Sequence, residues 1–152
     1  MWDITAGGHV LVGEFGFEAV IREIKEEIGV TLDKDNITLE KMKTLYKICK
    51  NNRDIHLLGY YIKNNLVGTL TLNILTLPSG KEATIWDLAI KEEYRRLGIA
   101  TKLTNKAEEI AKKEKITKIW LFSGFHRQSA HELYRKLGYD ENKDKAFIKQ
   151  IN

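Results

Sequence analysis

The chain has 152 residues, 43% of them hydrophobic and 30% charged, the size and balance of one globular domain with at most a small appendage. No apolar run approaches the ~18 residues of a membrane span, and the single cysteine, Cys49, excludes an internal disulfide and any Cys-rich zinc site. The net charge of +4 is uneven: residues 1–54 carry 8 Lys and Arg against 10 Asp and Glu, and residues 55–152 carry 17 against 11. A basic C-terminal part suits an anionic ligand. It has no aromatic-interleaved basic stripe and no zinc-finger spacing, which argues against nucleic acid. The opening Met1-Trp2-Asp3-Ile4 lacks a basic n-region and an apolar h-region, so a cytoplasmic protein is expected.

In chain order, residues 2–5 read as a short strand, Ala6-Gly7-Gly8-His9 as a loop and Gly13 as a turn. Phe17, Val20, Ile21, Ile24 and Ile28 fall on one helical face, predicting a helix over 15–28 that Gly29 ends as a cap. Residues 31–37 are polar and turn-like. The spacing of Leu39, Met42, Tyr46 and Cys49, with Leu45 and Ile48 beside them, predicts a second helix over 38–50, for which a strand is the rival reading. Three strand-like runs follow, His56–Ile62, Leu66–Leu75 and Ala83–Ile90, joined by short turns in the manner of an antiparallel meander. A helix over 98–113, a short strand over Lys118–Phe122, a helix over Gln128–Leu137 ended by Gly138, and a last strand over Ala146–Ile151 complete the order. Antiparallel strands followed by β-α-β predict an α/β fold with a mixed, mostly antiparallel sheet and helices on both faces.

The basic stretch Arg95-Arg96-Leu97-Gly98-Ile99-Ala100-Thr101 lies between a predicted strand and a predicted helix. A helix N-terminus there offers unpaired N–H groups and a favourable dipole for phosphate. Small residues at 98 and 100 let the backbone approach an anion closely. Two further patterns accompany it. Trp86-Asp87-Leu88-Ala89-Ile90 precedes the loop, and Arg127-x-x-Ala130-x-x-x-Tyr134-x-x-x-Gly138-Tyr139 follows it.

Together these patterns resemble the GNAT N-acetyltransferases over about residues 38–152. The resemblance implies acetyl-CoA as cosubstrate and a small-molecule or peptide amine as acceptor, and leaves room for a homodimer. It implies that Leu97, Gly98, Ile99, Ala100 and Thr101 hold the pyrophosphate, with Arg95 and Arg96 adding charge. Leu88, Ala89 and Ile90 would pair through their backbone with the pantetheine arm. Asp87 would accept the amine proton and Tyr134 would protonate the departing thiolate; a phenol with a pKa near ~10 can do so at neutral pH. Arg127 stands where the family commonly has Asn, so it would meet the cosubstrate as a charge.

Residues 8–30 carry a different pattern: Gly8-x5-Glu14-x7-Arg22-Glu23-Ile24-x-Glu26-Glu27-x-Gly29-Val30. Glu23, Glu26 and Glu27 share one face of a helix, and three such carboxylates suit a hard cation such as Mg²⁺. The pattern resembles the signature of the Nudix hydrolases, which implies metal-assisted attack of water on nucleoside diphosphate derivatives. The expected organisation is a Nudix-like loop-helix over 1–35, standing in for the first strand and helix of a GNAT domain over 36–152, folded as one unit. A Mg²⁺-dependent pyrophosphohydrolase and a non-catalytic acyl-CoA-binding module are the two alternatives to an acetyltransferase. The four histidines, His9, His56, His126 and His131, show no metal-ligand spacing.

Overall fold

A computed structural model describes residues 8–12, 39–63, 65–144 and 149. The expected strand over 2–5, the helix over 15–28 with Glu23, Glu26 and Glu27, and, apart from Lys149, the last strand over 146–151 lie outside the described residues. The elements in chain order are β1 (Gly8–Val12), α1 (Leu39–Asn51), β2 (Ile55–Ile62), β3 (Asn65–Leu77), β4 (Gly80–Ile90), a 3-10 turn (Glu92–Tyr94), α2 (Ile99–Lys113), β5 (Ile119–Leu121) and α3 (Gln128–Lys136). They divide between two compact units, Met1–Phe122 and Ser123–Asn152.

Among the described residues of the first unit, five strands form one sheet in the order β1-β2-β3-β4-β5. β1 to β4 are antiparallel to their neighbours and β5 runs parallel to β4. The sheet is therefore mixed and mostly antiparallel, as expected. Every element predicted between 38 and 137 is present within a few residues of its expected ends. The exception among the described residues is the loop expected at Ala6-Gly7-Gly8-His9. Gly8 and His9 instead open β1, with Gly8 opposite Ile62 and Val12 opposite Leu58. The run Val10–Val12, apolar and β-branched at both ends, meets the otherwise unpaired edge of β2, and strand pairing satisfies the backbone groups of both.

The core of this unit follows from alternation. On β3, Leu66, Gly68, Leu70, Leu72 and Ile74 are buried at every second position, as a strand with one packed face requires, and Val67 is buried beside them. Leu58 and Tyr60 of β2 lie opposite Leu70 and Gly68, so they join the same face. α2 packs across β3, β4 and β2. Its Ile99, Leu103, Ala107 and Ala111 are buried. Thr104 is fully buried within the same helix, and its hydroxyl donates to the Ala100 carbonyl at 3.0 Å. Lys102 donates to the Tyr60 hydroxyl at 3.1 Å, tying α2 to β2. On α1, Tyr46 and Cys49 are half-buried while Leu45 and Ile48 are exposed.

Gly68 sets how closely α2 approaches the sheet. A Cβ at this position would lie 2.7 Å from Ile90 Cδ1, 3.1 Å from Ile99 Cγ2 and 3.2 Å from Leu103 Cδ1. Gly68→Val should overpack this contact and destabilise the protein by about 1–3 kcal/mol. The measurement is a melting curve, with a fall of roughly 2–4 °C for each kcal/mol in a chain of this size. Because Ile99 opens α2, the same substitution disturbs the loop before it.

Candidate functional site

β4 carries a distortion at the site that the sequence pointed to. Its pairing with β3 runs Gly68↔Ile90, Thr69↔Ala89 and then Thr71↔Trp86. Asp87 and Leu88 thus face the single residue Leu70, which is a β-bulge. Asp87 adopts φ 51°, a left-handed conformation that Asp tolerates better than most side chains. The Thr69 hydroxyl donates to the Asp87 carbonyl at 3.1 Å, which pins the bulge to β3. The Asp87 side chain is exposed.

The other edge of β4 opens at the same place. Pairing with β5 covers Ala83↔Ile119, Thr84↔Trp120 and Ile85↔Leu121 only. Beyond Ile85 the two strands part, so among the described residues no ladder covers this side of β4 from Trp86 to Ile90, where the Ile90 carbonyl accepts from Arg95 instead. A backbone edge of this kind can pair with an extended, amide-bearing ligand.

The chain then turns through the 3-10 segment into α2. Arg96 (φ 63°) and Gly98 (φ 75°) are both left-handed. Left-handed residues in such a turn can gather successive N–H groups around an anion. The first bond of the helix runs from the Lys102 N–H to the Gly98 carbonyl at 3.1 Å. Among the described residues no backbone carbonyl accepts from the amides of Leu97 to Thr101. They are the open donors of a helix start, with the positive end of its dipole behind them. Arg95 donates through Nε to the Ile90 carbonyl at 3.1 Å, which fastens this loop to the end of β4. The Arg95 side chain is thus a strut as well as a charge, which its motif position alone does not reveal. A Cβ at Gly98 would meet nothing within 4 Å; within the chain, glycine is needed there for its positive φ.

The second unit, taken by itself, explains the Tyr134-x-x-x-Gly138-Tyr139 pattern. The Tyr139 N–H donates to the Tyr134 carbonyl and the Gly138 N–H to the Arg135 carbonyl, both at 3.0 Å. With Gly138 at φ 88°, this is a Schellman cap, and an apolar contact between its two ends commonly accompanies it. Here that contact is Tyr134 against Tyr139, edge to face with centroids 6.1 Å apart. Burial raises the Tyr134 pKa above 10.0, and the Arg127 cation opposes the shift. Arg127 sits at the start of α3, its N–H donating to the Gly124 carbonyl at 3.0 Å. Gly138→Ala should cost about 1–2 kcal/mol, because alanine resists the left-handed conformation. A melting curve measures it, and near-ultraviolet circular dichroism should show a loosened tyrosine environment.

Two features of the site were not anticipated. One is the bulge. The other is an aromatic pair where β4 and β5 part: Trp86 stacks on Phe122 with centroids 5.5 Å apart and planes at 30°. Both aromatics were visible beside their strands, but only the register brings them together.

This architecture agrees with the comparisons. The family model described as the acetyltransferase (GNAT) family matches residues 20–139, and the chain belongs to that family. An aminoglycoside acetyltransferase from an uncultured soil metagenomic sample superposes with a TM-score of 0.80 at 18% identity, over 99% of this chain and 100% of that one. A predicted acetyltransferase from Clostridium acetobutylicum, crystallised with acetyl-CoA, gives 0.74 at 15% identity over 93% and 96%. At these identities the likeness is one of fold.

The Nudix resemblance is narrower. Nudix hydrolase 3 of Arabidopsis thaliana is 32% identical over 74 residues, 49% of this chain. An uncharacterised Nudix hydrolase of Listeria innocua is 49% identical over 35 residues, 23% of this chain. The chain spans 9% and 21% of the length of these two curated relatives, so the likeness is to a segment. Among the described residues no group of three His, Cys, Asp or Glu side chains could hold a metal ion, and no helix is long and apolar enough to cross a membrane.

Proposed function

We propose that this protein is an N-acetyltransferase that moves an acetyl group from acetyl-CoA to a primary amine. The observation that carries the reading is the conjunction, within the first unit, of the opened β4 edge and the array of open amides at Leu97–Thr101. That pair fits a ligand with an amide-bearing arm and a pyrophosphate at its end. The left-handed turns at Arg96 and Gly98 give the concavity the pyrophosphate needs, and the parted strands give the arm a backbone to pair with.

Acetyl-CoA, when bound, supplies the thioester whose carbonyl carbon the amine attacks. The chain's own residues do the rest. The amides of Leu97, Gly98, Ile99, Ala100 and Thr101 hold the phosphates, and Arg95 and Arg96 lower the cost of gathering that charge. Leu88, Ala89 and Ile90 orient the arm. Asp87, held on the bulge, takes the proton the amine loses, directly or through water. The Tyr134 hydroxyl gives a proton to the leaving sulfur, and burial keeps it protonated well into alkaline solution. Arg127, beside Tyr134 in the second unit, brings a positive charge in place of the family's usual Asn. A small-molecule acceptor is consistent with structural neighbours named as aminoglycoside acetyltransferases.

Thiol release measured across a panel of primary amines tests the reading. Acetyl-CoA should be consumed with an amine present and not without one. Binding of acetyl-CoA with no thiol release for any amine would leave a binding module instead. Phosphate release from a nucleoside diphosphate sugar with Mg²⁺, lost in Glu26→Gln, would move the activity to the Nudix-like segment.

A further inference from the structure

The last paired residues of the parallel strands are Ile85 and Leu121. The next position on each is aromatic, and there the strands have already separated. Trp86 and Phe122 stack across this vertex. The arrangement is built rather than incidental: the Trp86 Nε1–H donates to the Thr84 hydroxyl at 2.8 Å, which holds the indole over its own strand. Yet Trp86 is 46% exposed and Phe122 48%. A large, fixed aromatic surface left open beside a site is a surface for a ligand.

Its place along β4 says which ligand. With phosphates at Leu97–Thr101, beyond the end of β4, an arm paired along Ile90 to Leu88 runs back toward the vertex. Four residues of strand from Ile90 to Trp86 span about 13 Å. The reacting end therefore arrives beside Asp87 and Trp86. An incoming amine there meets a carboxylate, which favours its cationic form on approach, and an aromatic face, which favours both a cation and a flat apolar body.

We infer that Trp86, backed by Phe122, selects an acceptor whose primary amine is carried on an aromatic body, an arylalkylamine, and that Asp87 meets its ammonium group. This rests on the acetyl-CoA reading above and names the acceptor class for that site. A polyhydroxylated amine such as an aminoglycoside would gain little from this apolar face.

The test compares 2-phenylethylamine, n-butylamine and sisomicin as acceptors for the wild type, Trp86→Ala and Trp86→Phe. Thiol release gives KM and kcat, and calorimetry gives the affinity of each protein for acetyl-CoA and for 2-phenylethylamine. The wild type should prefer 2-phenylethylamine in kcat/KM by about tenfold, the scale of one stacked contact. Trp86→Ala should raise its KM and its Kd about tenfold and leave the acetyl-CoA affinity unchanged, whereas Trp86→Phe keeps most of the preference. Trp86→Phe should also abolish a fluorescence change that 2-phenylethylamine causes in the wild type, since Trp2 and Trp120 remain in the variant. Melting curves establish that each variant is folded, and Phe122→Ala replaces Trp86→Ala if that variant is not.

Preference for n-butylamine or sisomicin, an unchanged Kd for 2-phenylethylamine in a folded variant, or a loss that falls on acetyl-CoA instead would each overturn the inference. Failure of the wild type to bind acetyl-CoA would overturn the acetyltransferase reading with it. Acetyl-CoA binding and transfer to amines with no aromatic preference would overturn the inference alone.

Discussion

Tyr134→Phe should lower kcat for acetyl transfer by about a hundredfold or more, the usual worth of a positioned proton donor. Acetyl-CoA affinity should hardly change, because the ring and its packing on Tyr139 are kept. The phenol's pKa is raised above 10.0 by burial, against the pull of Arg127. The donor is thus present throughout the neutral and moderately alkaline range, and its loss in the wild type should appear only above pH 10. The same shift has a stability consequence. A folded-state pKa above the unfolded one means that the folded protein holds the proton longer, so this contribution is full below pH 10 and is lost as pH rises through the folded value. Tyr134→Phe should remove that alkaline decline. A variant with unchanged kcat would reduce Tyr134 to a packing residue of its cap.

Gly98→Val should strike the amide loop of the first unit. Its φ of 75° costs a residue with a Cβ roughly 1–2 kcal/mol, and a β-branched side chain more. If the loop yields to relieve that strain, the amides of Leu97–Thr101 no longer converge. The Kd for acetyl-CoA should then rise at least about tenfold, the equivalent of ~1.4 kcal/mol. Gly98→Asn is the control, since asparagine enters the left-handed region readily. It should retain most of the affinity, which calorimetry can read directly. If Asn and Val weaken binding equally, the glycine acts through space for the ligand rather than through its conformation.

What could be read before the fold was seen depended on whether the signal was local. The strands from Ile55 to Ile90 are β-branched or apolar at alternate positions, and α2 repeats its apolar residues at helical spacing, so both were legible. The Gly138-Tyr139 ending of α3 was legible as a stop, and its geometry shows why the pattern includes Tyr134: cap and contact are one unit. Gly8 and His9 misled because a glycine pair suggests a turn, whereas strand pairing with β2 decides their conformation. The bulge was hidden for a related reason. Nothing in Trp86-Asp87-Leu88 says that two of its residues will face one; that depends on the register against β3. The Trp86–Phe122 stack depends in turn on β4 lying parallel to β5 and parting from it after Ile85. Arg95 was legible as a charge near phosphate but not as the strut to the Ile90 carbonyl.

An acetyl-CoA site formed by the parted strands and the Leu97–Thr101 amides implies a ligand-dependent rise in stability. Thermal unfolding with and without acetyl-CoA tests it most directly. A ligand that binds only the native state at about a hundred times its Kd adds ~2.7 kcal/mol of stability, which is roughly 5–10 °C in Tm for a chain of this length. That rise is expected for the wild type, and it should be smaller for Gly98→Val at the same concentration. No rise in the wild type at millimolar acetyl-CoA would contradict the assignment.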